Sequence, residues 1–203
     1  MTSSQSRIQA AAMRLFAERG VTQVTVSDLA EAAGVARGTI YNNFKTIESL
    51  FEDVAMQLTS EMYLYISGSL GQTTDPAQRL ANGIRFFLRR AHEEPQWGRF
   101  LMRFGATSPT LREVLRAAPM HDLKKGVELG RFSIRPDQLE SALGMVSGGV
   151  LAAICLVLDG NRTWRDAGVD VAELSLRALG ISAKSARAMA TAALPPLAVR
   201  TRK

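Results

Sequence analysis

Apolar residues recur every three to four positions along most of this chain, which is the spacing of helices, and no stretch reads as a strand hairpin. The pattern is clearest between Thr25 and Leu50. Val26, Leu29, Ala30 and Ala33 mark one face of a short helix, and Ile40 and Phe44, four apart, mark the facing side of a second. Ala33-Gly34-Val35 between them reads as a tight turn, and a third helix is expected to start near Thr46. Thr25 can cap the first of these helices, with Asp28 three residues on completing something close to a capping box. Gly34 supplies the backbone freedom needed to leave that helix. Val35 precedes a cap at Ala36, and Ile40 lies where a hydrophobic staple closes. Ala36 has no side-chain oxygen to cap with, a cost of about 1 kcal/mol against Ser.

Beyond this unit, prolines and caps cut the chain into further helices. The spacing predicts a helix from Ile47 to about Ser67 and a loop over Gly68 to Thr74. Asp75-Pro76 opens a helix with Leu80, Ile84, Phe87, Leu88 and Ala91 on one face; Pro95 and Ser108-Pro109 open two more. Pro119 predicts a kink or break between Pro109 and Phe132. Arg135-Pro136-Asp137 opens a long apolar helix ending by Gly160. A loop over Asn161 to Gly168 and helices over 169–180 and 182–194 follow, and a basic, frayed tail closes the chain after Leu197. The fold class expected is all-α: a three-helix unit over 1–50 and a helical bundle over 51–203.

The layout of residues 25–50 is that of a helix-turn-helix, whose second helix enters the major groove of DNA. That helix leaves Arg37, Thr39, Tyr41, Asn42 and Lys45 exposed, all able to hydrogen-bond a phosphate or a base edge. Residues 8–51 also resemble the DNA-binding domain of the tetracycline-repressor (TetR) family. The resemblance is carried by Ile8, Ala12, Leu15, Phe16 and Gly20, then Thr25, Val26, Leu29, Ala30, Ala33, Gly34 and Val35, and finally Gly38, Thr39, Ile40, Tyr41, Phe44, Glu48, Leu50 and Phe51. It implies that Arg37, Thr39 and Asn42 read bases and that Thr25, Tyr41 and Lys45 hold phosphates, with Ser27 and Gly38 close to the DNA backbone. The chain departs from the family at Ala36, where Ser is common, at Asn43, where His or Tyr is, and at Ile47, where Lys is. Lys45 is the candidate to take up part of the phosphate grip usual at the last two.

The resemblance further implies a cytoplasmic homodimeric regulator, in the first instance a repressor, on a double-stranded operator with dyad symmetry, released by a small-molecule effector. It places the dimer contact on the last two long helices. There, Gly144, Gly148 and Ala152 form a ridge of small residues four apart, fit either for a second subunit or for packing inside its own. For the effector, Trp97, Phe100, Leu101 and Phe104 share one side of a helix, and Met120, Leu123 and Met145 could join them around an apolar or aromatic ligand. Ordinary core is the alternative for the same residues. Arg99 and Arg103 fall on another face and read as solvated; Trp164 falls in the polar loop.

Composition sharpens parts of this. The chain has 203 residues, a net charge of +6 and a pI near 10, which favours a polyanionic partner. Residues 1–50 hold five basic side chains against four acidic ones, so the motif carries the DNA inference and the charge does not. Cys155 is the single cysteine and sits in an apolar run, which fits a reducing compartment and a buried thiol. The polar start MTSSQSR predicts no secretory signal. The run from Ala142 to Leu158, with Ser147 its only hydroxyl, is at the short end of the membrane-spanning range and reads better as a buried central helix. His92 and His121 each lack a second ligand at metal spacing, no phosphate loop is present in the sequence, and no cofactor is expected. A small helical enzyme, a ligand-independent regulator or activator, and a DNA-packaging protein are the competing readings; the last calls for a more basic DNA-binding unit.

Overall fold

The computed structural model describes residues 3–70 and 73–196. Ten α-helices and two short 3₁₀ turns make up these residues, with no strand among them. The predicted tail after Leu197 lies outside the described residues, as do positions 71 and 72 of the predicted 68–74 loop.

The first unit is α1 (Ser3–Arg19), α2 (Val26–Ala33) and α3 (Arg37–Asn43). Its caps form as the sequence predicts. Thr25 accepts from the Asp28 backbone N–H at 3.2 Å, and the Thr25 N–H donates to Asp28 Oδ2 at 2.8 Å. Gly34 adopts φ +62° and ψ +44°, the left-handed C-cap that lets its N–H reach the carbonyls of Ala30 and Glu31. Ala36 makes no side-chain cap. Leu29, Ala30, Ala33, Ile40 and Phe44 are buried against Ile8, Ala12, Leu15 and Phe16 of α1.

Helix α4 (Ile47–Leu70) belongs to both units. Its first turns place Leu50 and Phe51 in the core of the helix-turn-helix, and its later turns pack on α7 (Pro109–Glu128). It runs to Leu70, past the predicted end near Ser67. The bundle is completed by α5 (Pro76–Glu93), α6 (Pro95–Phe104), α8 (Leu139–Leu158), α9 (Trp164–Ala178) and α10 (Ala183–Thr191). Helix α5 lies at the centre, against α4, α6, α7, α8, α9 and α10. Asp75 caps it, accepting from the Ala77 N–H at 3.0 Å, with Pro76 at the first position.

Three predicted boundaries are corrected. Of the kink or break expected at Pro119, the break is absent: helix α7 passes through it. Proline removes the N–H that would bond the Leu115 carbonyl one turn earlier; the Ser147 hydroxyl of α8 donates to that carbonyl at 3.0 Å instead. Helix α9 starts at Trp164, not Val169, because Thr163 caps it through the Asp166 N–H at 3.1 Å. Trp164 is thus a half-buried residue of a first helical turn. The last helix is shorter than predicted, Ala183–Thr191.

A buried cation pins three of these helices together. Arg90 of α5 is 1% exposed. It donates to Glu61 of α4 at 2.8 Å and lies 4.7 Å from the ring centre of Trp97 on α6.

Candidate nucleic-acid interface

Helix α3 carries its polar side chains outward because Ile40 and the following Phe44 take up the buried side. Arg37, Tyr41, Asn42 and Lys45 are exposed, Tyr41 at 65%, and Thr39 is half-buried. Neither Arg37 nor Lys45 makes an ion pair among the described residues, which leaves both cations available to phosphates. A Cβ built on Gly38 meets nothing within 4 Å. The protein itself therefore does not require glycine there; a close-lying surface outside the protein would. Ser27 is half-buried at the start of α2. The Thr25 hydroxyl is committed within the cap, donating to Asp28 Oδ2 at 2.6 Å. That bond holds the Asp28 carboxyl below its usual range.

The two departures at the end of the motif have structural causes. Asn43 donates through Nδ2 to the Thr39 carbonyl at 2.7 Å, so its amide is spent closing α3. Ile47 packs against the core. Lys45 is the cation left near both.

The aromatic set predicted to line a pocket is built differently. Trp97, Phe100 and Leu101 are fully buried and Phe104 partly so. Phe51 of α4 stands 5.5 Å from Phe100, 5.0 Å from Phe104 and 5.8 Å from Phe16 of α1, ring centre to ring centre. These rings are the junction between the helix-turn-helix and the bundle. Met120 and Leu123 are buried on α7. Met145 is corrected outright: at 44% exposure it faces outward from α8 beside Gly144, on the side away from Val146 and the core. Arg103 is exposed, as expected, and its guanidinium donates to the carbonyls of Ala17 and Glu18 at the end of α1.

A small cavity lies between α4, α5, α7 and α8. Ile66, Leu80, Ile84, Phe87, Val146 and Val150 give it apolar walls, and Arg79, Asp122 and Ser147 border it with almost no polar surface turned inward. It encloses about 30 Å³, far below the roughly 150 Å³ that holds a benzene-sized guest. It shares Ile66, Arg79 and Ala118 with an open groove of about 770 Å³ between α4 and α7, lined also by Met62, Tyr63, Val114 and His121. Arg79 donates to Asp122 at 2.7 Å and to the carbonyls of Leu70 and Thr73 at 3.2 and 3.3 Å. Burial pushes the Asp122 carboxyl above its usual value, although Arg79 pulls it back. The sequence held a signal for Asp122: with Leu111, Leu115 and Gly126 it stands on the one stripe of α7 that is otherwise apolar or glycine.

The long apolar helix is also corrected, from a fully buried helix to a half-covered one. The stretch Pro136–Leu158 is long and apolar enough to cross a membrane; its most apolar 18 residues have a mean hydropathy of 2.2, yet only 33% of them are buried. Gly144, Met145, Gly148, Ala152 and Leu156 are all exposed, and Cβ atoms built on Gly144 and Gly148 meet nothing within 4 Å. The ridge does not serve packing within the subunit. Cys155 sits half-exposed at its edge, with Sγ 3.5 Å from Asp159.

A helix-turn-helix head mounted on an all-helical bundle is the architecture of a DNA-binding regulator. Comparison with known proteins agrees. Residues 8–54 match the bacterial regulatory proteins of the tetR family, and residues 75–192 match the tetracyclin repressor-like C-terminal domain. The chain belongs to the TetR family of transcription regulators. It is 32% identical to RolR, solved in complex with the ligand resorcinol, over 96% of each chain with a TM-score of 0.73. It shares the fold of FadR from Bacillus subtilis, solved with stearoyl-CoA, at 21% identity, 87% and 99% coverage and a TM-score of 0.73. It is 32% identical to the HTH-type transcriptional repressor KstR2 of Mycolicibacterium smegmatis over 69 residues, which is 34% of each chain. The chain thus spans about a third of that curated relative.

Proposed function

We propose that this chain is a homodimeric repressor that grips a dyad operator with one α3 per half-site and lets go when a small aromatic effector fills the cavity between α4, α5, α7 and α8. The observation that carries the DNA half of this reading is the outward face of α3, where two unpaired cations, an amide, a hydroxyl and a phenol surround the bare backbone of Gly38. In that reading Arg37, Thr39 and Asn42 meet base edges, Tyr41 and Lys45 meet phosphates, and Ser27 lies beside the DNA backbone. Thr25 has only its lone pairs to offer, since its hydroxyl hydrogen is spent on Asp28. A phosphate brings no hydrogen to share, so Thr25 contributes by holding α2 in place.

The dimer reading rests on the uncovered face of α8. Gly144, Gly148 and Ala152 let a second helix approach closely, and Met145 and Leu156 flank them with apolar area. The effector reading rests on the cavity and on the Arg79–Asp122 pair at its border. An aromatic hydroxyl can donate to Asp122 and accept from Arg79, and RolR, whose ligand is resorcinol, is similar along nearly the whole chain. The cavity must open toward the α4–α7 groove to admit a ring. Arg79 also holds the last carbonyl of α4, so a ligand that draws Arg79 away loosens the helix whose other end carries the reading head.

Selection of bound DNA from a random pool tests the first half: a dyad with two half-sites about one helical turn apart is expected. Sequence-independent binding overturns it. Titration of resorcinol against the operator complex tests the second. Release by resorcinol that disappears in Asp122→Asn supports it; release undiminished in that variant moves the site elsewhere.

A further inference from the structure

We propose that Arg103 is a positioning residue for operator recognition: it sets the angle of the DNA-reading head against the bundle, and with it the half-site spacing that the dimer accepts. The inference rests on the dimeric operator-binding reading above. Helix α1 ends at Arg19, and the carbonyls of a last helical turn have no partner within the helix. The Gly20 N–H meets the Phe16 carbonyl at 2.9 Å. The next two, of Ala17 and Glu18, both accept from Nη1 of Arg103, at 3.2 and 3.1 Å. This is a cation at the negative end of a helix dipole, where it is favoured.

Gly20 holds φ +89°, a conformation that favours glycine whatever the space, and the movable end of Arg103 lies over it, with Nη2 3.0 Å from a Cβ built there. Arg103 makes no ion pair among the described residues, although Asp159, at the end of α8, lines the same groove of about 250 Å³. Among the described residues its hydrogen bonds go to α1 alone, and its guanidinium lies 5.9 Å from the ring centre of Phe104. One turn of α6 therefore holds the head at two points. Phe100 and Phe104 grip Phe51 at the start of α4, and Arg103 grips the end of α1. The rings are a slippery contact that tolerates rotation; two directional hydrogen bonds are not. Removing them leaves the angle of the head to the ring contact and the flexing of α4 alone, while the fold stays whole.

The test compares wild type with Arg103→Gln and Arg103→Ala on the selected operator and on versions with the spacer lengthened or shortened by one base pair. Helicity and dimer mass are checked first. Wild type is expected to bind the altered spacers at least tenfold more weakly. Both variants should lose about tenfold on the selected operator, yet discriminate between spacers less than half as well as wild type on a logarithmic scale. Equal losses on every spacer would mean that Arg103 is a plain stabilising cap, and the inference falls. Unchanged discrimination in both variants overturns it too. A wild type with no dyad operator at all takes down the proposed function first, and that arm of the experiment shows it directly.

Discussion

In the helix-turn-helix, Thr25, Asp28 and Gly34 settle both ends of α2 within one short stretch of chain. In the bundle, the Leu115 carbonyl is satisfied by a hydroxyl 32 residues away, and Trp97 by a cation on another helix. The caps of the first region are built from local rules, Thr25, Asp28 and Gly34 finding their partners within about a turn. The second is built from encounters between helices that no local pattern announces. The same residue type therefore carries different information in each. A Thr before an apolar run in the head is a cap; an aromatic stripe in the bundle is a core, a pocket wall or a domain junction, and only its neighbours decide which.

The comparison is broken most severely at the junction. Phe100→Ala is expected to cost about 3–5 kcal/mol in urea unfolding, since it removes a fully buried ring touching two others. A cost below about 1 kcal/mol, with a new affinity for small aromatics, would show that a pocket wall had been mistaken for a junction. Next comes the long-range satisfaction of α7. Ser147→Ala leaves the Leu115 carbonyl bare and should cost about 1–3 kcal/mol. In a Pro119→Ala background the backbone N–H returns, and the cost of Ser147→Ala should shrink to a few tenths. If the two effects simply add, the hydroxyl is not what carries α7 through its proline.

The remaining predictions test the locally built region. Asn42→Ala should relax preference at one or two operator positions, at about 1–3 kcal/mol. Lys45→Ala should weaken all sequences alike and flatten the dependence on salt. Equal losses on operator and random DNA for both variants would remove the division into base readers and phosphate holders. Smallest is Ala36→Ser, which gives α3 the cap it lacks and should stabilise the head by about 0.5–1 kcal/mol in thermal unfolding. A loss instead would mean that the space beside Ala36 is needed as it is.

The head was legible from the sequence down to its hydrogen bonds because each of its signals is short-range. Asn43 was not, since nothing in its type says that it will fold back on the Thr39 carbonyl. In the bundle, the helix starts marked by proline or serine were legible and Trp164 was missed. Yet Thr163 and Asp166 repeat the spacing of Thr25 and Asp28, and that repeat was the available clue. The cavity was misplaced because Trp97 and Phe100 have the right chemistry for a ligand wall but stand behind Phe51 and Arg90, a matter of three-dimensional neighbours. The half-covered face of α8 was hidden for the opposite reason. A helix apolar all round looks buried, and sequence does not say whether the cover comes from the same chain.

Helix α4 runs unbroken from the core of the reading head to the wall of the cavity, 24 residues with no hinge between. It behaves as a shaft with a phase. Each residue added to it advances the head by about 1.5 Å and turns it by roughly 100°. A single-residue insertion near its middle would point α3 away from the groove while leaving every side chain of the interface intact. Seven inserted residues, close to two full turns, would bring the orientation back within about 20° but carry the head some 10 Å outward, beyond the reach of α6. The length of α4 is thus under a tighter constraint than its exposed residues, and changes in chain length are expected to be tolerated in the loops at its ends before they are tolerated within it.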